Sequence, residues 1–199
     1  DMLCESYDII SLDAALTPAP KGSRPRVVLT FDDGDIGLFD YLLPVVRSKD
    51  IPVTVYVATA HIETGKPYWF DRVMNALQTT GMTQIALDGL GIWQIGPERG
   101  KCRWVQINAV LEALKGAPTE ARDGLADDII AQVGPMADSF MPLQPMSLPQ
   151  LKGLAADPRI TIGAHSHGHE LLDQLSIPEA KASIVRSRDL LAAWTGQDI

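Results

Sequence analysis

The sequence has few of the features that mark a disulfide scaffold, a membrane span or a nucleic-acid surface. Among 199 residues there are two cysteines, Cys4 and Cys102, without the spacing of metal ligands. The apolar runs are all too short to cross a bilayer. The 17 Lys and Arg residues stand against 25 Asp and Glu and form no basic block. We therefore expect no membrane span and no binding to nucleic acid or to an anionic membrane through general electrostatics.

The remaining composition is that of a globular protein with a sizeable core. The hydrophobic share of 46% and the charged share of 21% are ordinary for a large domain, and no repeat or low-complexity tract interrupts it. The N-terminal residues do not show a basic region followed by an apolar stretch, as a signal peptide would. Composition alone leaves the localisation and the oligomeric state open.

Three stretches predict strands that are buried on both faces, because their apolar residues are continuous and rich in β-branched types. They are residues 26–31, 53–57 and 159–164. Residues 36–49 between the first two read as a helical segment, with Pro44 opening its final part. This strand, helix, strand order predicts a parallel α/β fold. Residues 1–25 are expected to pack as an N-terminal extension on a main domain, residues 26–199.

The middle of the chain shows helical periodicity without a buried strand, so residues 76–146 are predicted to be a mainly helical insertion. A helix is predicted over 68–77, where the insertion begins. Within the insertion, the predicted elements are a hairpin of strands 84–87 and 92–95 around Asp88-Gly89, and helices over 102–115 and 119–133. Two capping boxes, starting at Ser147 and Ser176, predict the later helices, and Gly196 is the expected end of the last one.

Two groups of polar residues follow predicted core strands. Asp32 and Asp33 end the first strand and precede Gly34, and three of the four histidines, His165, His167 and His169, follow the third strand. The carboxyl ends of parallel strands meet at one edge of a sheet, where loops converge and sites assemble. The two groups are therefore expected to form one site.

The residue types in these groups suit a catalytic metal centre. Two histidines and one carboxylate fill three metal positions and leave room for water or substrate, whereas structural zinc sites are closed by four protein ligands. On a helical turn His165 and His169 share a face, and in an extended segment all three histidines do. Gly168 favours a turn and hence the outer pair. Adjacent aspartates at a strand end point in different directions, so one can ligate while the other acts as a general base on the bound water.

Other candidate residues have simpler interpretations. His61 follows the second strand without a companion and is interpreted as a histidine on a surface loop. The aromatic residues 68–70 could form a wall on which a sugar stacks, but an aromatic cluster at the start of a helix favours a role in the core.

The two groups also resemble the motifs of a known family. Residues 30–34, TFDDG, resemble the first motif of the polysaccharide deacetylases, the NodB-homology family of carbohydrate esterases, and the His-Ser-x-x-His pattern at 165–169 resembles their second. The resemblance implies a distorted (β/α) barrel and a metal-dependent hydrolase that removes N-acetyl groups from a glycan substrate. It further implies that Asp32 is the catalytic base and that the metal, usually zinc (Zn2+), is bound by Asp33, His165 and His169.

The later motifs of that family, an arginine with a proline-aromatic pair and a leucine-x-histidine that supplies the general acid, have no counterpart here. The chain is therefore expected to be either a fragment of a longer protein or a truncated relative that has lost full catalysis. We favour the fragment, because a barrel without its last strands at the C-terminus would have open edges, and we expect the chain to bind metal but deacetylate poorly by itself. Two alternatives stay open at this point. The metal site could serve an amidase that acts on a non-glycan amide, or the chain could be a catalytically inactive glycan-binding relative.

Overall fold

The computed structural model describes residues 2–96, 101–134 and 142–199. The strands in these ranges are β1 (Asp8–Ile9), β2 (Arg26–Val27), β3 (Thr30–Phe31), β4 (Val53–Val57), β5 (Gln84–Leu87), β6 (Gly91–Gln94) and β7 (Ile160–Ala164). The α-helices are α1 (Met2–Ser6), α2 (Leu12–Ala15), α3 (Leu43–Lys49), α4 (Thr59–Thr64), α5 (Trp69–Thr79), α6 (Lys101–Lys115), α7 (Thr119–Val133), α8 (Leu148–Ala155) and α9 (Ile177–Thr195). A π-helical segment, Leu38–Leu42, leads into α3, and a 3-10 turn, Leu172–Gln174, precedes α9.

A parallel sheet of three strands, in the order β3-β4-β7, positions the candidate site. The central strand β4 pairs with β7 along its whole length, from Val53 opposite Ile160 to Val57 opposite Ala164. Four of its five residues are buried, as the continuous apolar pattern predicted. The parallel α/β arrangement inferred from the sequence is confirmed at this level. The described strands form open sheets and do not close into a barrel.

The prediction of a single strand over residues 26–31 is wrong, because the chain changes its pairing partner within this stretch. The β2 stretch pairs with β1 in a separate parallel sheet, whereas β3 pairs with β4. The carbonyl of Val27 accepts a hydrogen bond from Ile10, and the carbonyl of Leu29 accepts one from Thr54. The apolar run also overestimated burial, because both residues of β2 and Phe31 of β3 are only half-buried and Thr30 is exposed. Such a run cannot show that its two halves pair with different strands. The N-terminal extension thus contributes a strand.

The helical segment predicted over residues 36–49 is confirmed, with a change of helix type inside it. Pro44 stands in the first turn of α3, as expected. Proline has no N–H to donate, so the regular hydrogen-bond ladder is interrupted there. In the preceding turn the N–H of Leu43 reaches the carbonyl of Leu38, which gives the wider π-helical turn. Both capping boxes and the left-handed Gly196 at the end of α9 are also confirmed.

The chain divides into two compact units. The first comprises Asp1–Lys66, Gln144–Glu170 and Leu175–Ile199, and the second comprises Pro67–Leu143 and Leu171–Gln174. The first unit contains the three-stranded sheet, with a core that includes Val46, Val55, Leu151 and Leu191. Of the predicted insertion, residues 97–100 and 135–141 lie outside the described residues. The division into an extension, a main domain and an insertion stays a prediction.

The second unit has its own core around α5, α6, α7 and the β5-β6 hairpin. The hairpin pairs Leu87 with Gly91, and Gly89 in its turn has a positive φ of 70°, in agreement with the predicted turn. The buried side chain of Arg103 donates hydrogen bonds to the carbonyls of Leu77, Thr80 and Gly96. Within the described ranges, no helix has both the length and the apolar character needed to cross a membrane.

Candidate metal centre

The acidic motif forms a tight turn directly after β3. The N–H of Gly34 donates to the carbonyl of Asp32 at 2.9 Å. Gly34 has a φ of +88°, and a Cβ atom at this position would lie 3.1 Å from Cγ1 of Val57. Glycine is required here both by the left-handed backbone and by the close approach to β4. The turn leaves Asp32 exposed and Asp33 half-buried.

Two neighbouring segments hold this turn in place. Ala58, just past β4, donates its N–H to the carbonyl of Asp33 at 3.4 Å, and Met146 donates to the carbonyl of Gly34 at 2.9 Å. Because these bonds come from separate segments, they fix the backbone on which the aspartates stand.

The histidine loop, residues 165–170, follows β7 at the same edge of the sheet. The N–H of His165 donates to the carbonyl of Val57 at 3.0 Å, which continues the pairing of β7 with β4. Ser166 and His169 then adopt left-handed backbone conformations, with φ of 59° and 55°. The loop is therefore neither a helical turn nor an extended strand. It brings the rings of His165 and His169 together at a centroid separation of 5.0 Å.

Asp33, His165 and His169 converge on one point. Oδ1 of Asp33 lies 3.4 Å from Nε2 of His165 and 3.2 Å from Nε2 of His169. One potential ligand atom from each residue lies within 4.8 Å of the other two. Two imidazole nitrogens and one carboxylate oxygen form a three-ligand donor set that leaves coordination positions open. The residues thus fit a divalent cation of the catalytic kind.

The electrostatics of the cluster also favour a cation. Burial raises the pKa of the Asp33 carboxyl, but hydrogen bonds and charge from His165 and His169 outweigh burial and hold that pKa well below its usual range. The hydrogen bond to Asp33 raises the pKa of His165 against the opposing effect of burial, and the charge of Asp32 adds to the rise. The acids therefore attract positive charge to the space between the rings.

Backbone strain is concentrated in this cluster. Among the described residues, the non-glycine positions with a positive φ are Asp33, Asp50, Ser166 and His169. A left-handed conformation costs a non-glycine residue about 1–2 kcal/mol. Three of these four residues belong to the two loops of the cluster, which is the distribution expected when surrounding contacts hold a functional site in an otherwise unfavourable backbone.

The other two histidines lie outside the cluster. Nδ1 of His167 lies 2.8 Å from the hydroxyl of Thr59, and its Nε2 lies 3.9 Å from a carboxylate oxygen of Glu63. His61 does not lie on a loop, as the sequence suggested, but on α4, where its Nδ1 lies 2.6 Å from the carbonyl of Lys66.

The aromatic cluster at the start of α5 belongs to the protein interior of the second unit. Tyr68 is 3% exposed and its ring stacks on Phe70 at 5.3 Å. Trp69 packs against the core of this unit, and the guanidinium of Arg122 lies over its ring. These contacts favour the core interpretation over a sugar-binding wall.

Two residues that support the histidine loop were not predicted from sequence patterns. The carboxylate of Glu170 accepts a hydrogen bond from the hydroxyl of Ser183 on α9, at 2.8 Å. The same hydroxyl accepts a hydrogen bond from the N–H of His167, also at 2.8 Å. Ser183 lies in the middle of a long helix, and no local pattern separates it from the other serines of that helix.

Comparisons with known proteins give one family match and several solved structures of similar fold. Residues 19–92 match the family model described as polysaccharide deacetylase. The deacetylase PplD of Streptococcus pyogenes, whose structure contains acetate, is similar in fold, with 16% identity and a TM-score of 0.53 over 99% of this chain and 54% of that chain. No curated protein matches the chain.

Two further solved structures are similar at a lower level. The deacetylase domain of BpsB from Bordetella bronchiseptica has a TM-score of 0.48 and 16% identity, over 100% of this chain and 63% of that chain. IcaB from Ammonifex degensii has a TM-score of 0.48 and 12% identity, over 96% of this chain and 56% of that chain. The chain spans roughly half to two thirds of the length of these proteins. The predicted resemblance to the polysaccharide deacetylase family is therefore confirmed, by the family match over residues 19–92 and by a shared mixed α/β fold.

Proposed function

We propose that this protein is a metal-dependent hydrolase that removes N-acetyl groups from an N-acetylated polysaccharide or oligosaccharide. The observation that carries the proposal is the convergence of Asp33, His165 and His169 at the sheet edge with Asp32 beside them. The three converging residues are proposed to bind the metal, and Asp32 is proposed to be the catalytic base. The family match over residues 19–92 supports the acetamide as the reacting group.

Each aspartate has a different part in this proposal. Asp33 is half-buried and bonded to both histidines, so its carboxylate is committed to the cluster. Asp32 is exposed, and its charge acts on His165 from outside the cluster. Its carboxylate can therefore reach solvent and accept a proton from an attacking water. The water oxygen forms a bond to the acetamide carbonyl carbon, and the bond from that carbon to nitrogen breaks. The nitrogen takes up the proton that Asp32 removed from the water and leaves as the amine, with acetate as the other product.

The proposed cofactor is a divalent ion, and zinc suits two imidazoles and one carboxylate. When bound, such an ion supplies Lewis-acid activation of water and of the carbonyl group at neutral pH. The protein contributes the orientation of the three ligands, the strained turns that hold them and the proton acceptor on Asp32.

The proposal extends to the architecture. The open sheet β3-β4-β7 corresponds to part of the distorted (β/α) barrel that the resemblance implies, and residues 76–146 are proposed to be an insertion on that scaffold. The reaction is assigned to the first unit, because all four proposed site residues belong to it.

Acetate release from N-acetylglucosamine oligosaccharides tests the proposed reaction. We expect slow, zinc-dependent release by the 199-residue chain, and the Asp32→Asn variant should lower the rate by about 10²–10⁴-fold, the usual contribution of a general base. Zinc binding should be retained, since Asp32 is not a proposed ligand. Unchanged turnover in Asp32→Asn would exclude this residue as the base. Release from simple amides but not from glycans would favour an amidase instead.

Zinc content tests the proposed ligands separately from activity. The His165→Ala variant removes one of three ligands, so purified protein should lose most of its zinc after dialysis, whereas His61→Ala, in the same unit but outside the cluster, should retain it. Equal zinc content in the two variants would contradict the assignment of the metal site.

A further inference from the structure

Glu170 belongs to a hydrogen-bond network that joins the histidine loop to α9. Its carboxylate accepts a hydrogen bond from the hydroxyl of Ser183 on α9 at 2.8 Å. Because the carboxylate is charged, this hydrogen bond is of the stronger, charge-assisted kind. The histidine loop is thus joined to α9 at two of its residues, Glu170 and His167, through one serine hydroxyl.

Ser183 connects this carboxylate to the core of the first unit. Its hydroxyl donates a hydrogen bond to Glu170 and accepts one from the N–H of His167, so it acts as both donor and acceptor. Ser183 is buried on the same helix as Leu191, which is fully buried in the core of the unit. Because α9 is packed into the core, its hydrogen bonds to the histidine loop restrict the movement of that loop.

Gly168 leaves the space that the Glu170 side chain occupies. A Cβ atom at position 168 would lie 2.9 Å from Oε1 and 3.2 Å from Cδ of Glu170. Gly168 is not among the glycines with a positive φ, so an alanine suits its backbone and would disturb only the carboxylate. Gly168 and Glu170 are thus complementary in shape.

We propose that Glu170 and Ser183 are positioning residues that hold the histidine loop in its metal-binding conformation. The inference rests on the proposed metal-binding function. The loop contains two left-handed non-glycine residues, Ser166 and His169, and one of them is a proposed ligand. Without the hydrogen bonds that Ser183 makes with Glu170 and with the N–H of His167, the loop can relax from this backbone, and Nε2 of His169 would no longer be held 3.2 Å from Asp33. Groups that orient metal ligands typically change metal affinity by 10–100-fold when they are lost.

The first test measures the zinc dissociation constant of the full chain by competition with a chelator. Glu170→Gln keeps the size of the side chain but removes the charge that strengthens its hydrogen bond with Ser183, and Ser183→Ala removes the link to α9. Each variant should weaken zinc binding by about 10–100-fold. The visible absorption spectrum of the Co2+-loaded protein should change as well, because it reports the arrangement of the ligands. Unchanged affinity and an unchanged spectrum in both variants would overturn the proposal.

The chain offers a matched pair of control variants on the same helix. At the start of α9 the hydroxyl of Ser176 donates to the exposed carboxylate of Glu179 at 2.6 Å, which repeats the Ser183-Glu170 contact in a capping box. Glu179→Gln and Ser176→Ala should lower the melting temperature of the protein without changing the zinc dissociation constant. Loss of zinc affinity in these controls as large as in the test variants would show a general effect of α9 stability and would overturn the specific role.

A double-mutant cycle tests whether Glu170 supports zinc binding even if the Ser183→Ala variant does not fold. Gly168→Ala should weaken zinc binding in the wild-type background, because its methyl group displaces the Glu170 carboxylate. In the Glu170→Ala background it should have little further effect, since there is no carboxylate to displace. Equal losses in both backgrounds would overturn the proposal. A wild-type chain that binds no zinc would refute the proposed function and this inference together, whereas wild-type affinity in Glu170→Gln and Ser183→Ala refutes this inference alone.

Discussion

The Gly34→Ala substitution should destabilise the protein through one identified contact. Gly34 follows the two aspartates, has a φ of +88° and would place its Cβ atom 3.1 Å from Cγ1 of Val57. Val57 is fully buried at the end of the central strand, and its β-branched side chain has a restricted rotamer. It therefore has little room to move away from an added methyl group.

The magnitude follows from three effects. A left-handed backbone costs a non-glycine residue about 1–2 kcal/mol, and an extra methyl group in a packed site costs about 1–3 kcal/mol. The lower entropy of the unfolded chain with alanine offsets about 0.4–1 kcal/mol. The sum is a loss of about 3 kcal/mol in the free energy of unfolding, dominated by the backbone and the crowding. Zinc affinity should fall as well, because the turn carries Asp33.

Gly65→Ala is the matched control. Gly65 also has a left-handed backbone, with a φ of +67°, but a Cβ atom there would meet nothing within 4 Å. It should cost only about 1 kcal/mol, the backbone cost less the entropic offset, and leave zinc binding unchanged. Urea unfolding followed by far-UV circular dichroism gives both free energies. If Gly34→Ala costs no more than Gly65→Ala, the argument from crowding against Val57 is refuted.

Further predictions concern pH and the second unit. In the folded, metal-free protein the pKa of Asp33 is lowered and that of His165 is raised. Their pairing should therefore stabilise the folded protein from about pH 4 upward. This stabilisation should be lost as the pH rises above about 6.5 and passes through the folded pKa of His165. Urea unfolding in EDTA at pH 6 and pH 8 should show the loss in wild type but not in Asp33→Asn. Zinc affinity should change in the opposite direction and increase with pH, because zinc competes with the proton for His165; a flat profile in a chelator competition would contradict this. Arg103→Met should cost about 3 kcal/mol in urea unfolding, because it removes the guanidinium that donates to the buried carbonyl of Leu77 and to the half-buried carbonyl of Gly96. A loss below 1 kcal/mol would show that water replaces the guanidinium.

Local patterns predicted most elements of this chain, because helix caps and buried strands depend on residues close in sequence. The capping boxes at Ser147 and Ser176 each occupy four consecutive residues, and both appear in the structure. The buried strand Val53–Val57 was visible as a continuous apolar run. The run at residues 26–31 was misread, since an apolar run is local information, whereas the pairing partner and the final burial depend on distant segments.

The sequence by itself determined the types of the elements, the resemblance to a deacetylase family and the residues from which a metal site could be built. Only the tertiary structure decided how those residues meet. Asp33 faces His165 and His169 because β3 and β7 flank the same central strand, and this register is set by pairings far apart in the chain. The left-handed turns at Ser166 and His169, and their support by Glu170 and Ser183, depend on contacts between the loop and a distant helix. No local pattern encodes such contacts, because the free energy that favours them arises only when the segments pack together.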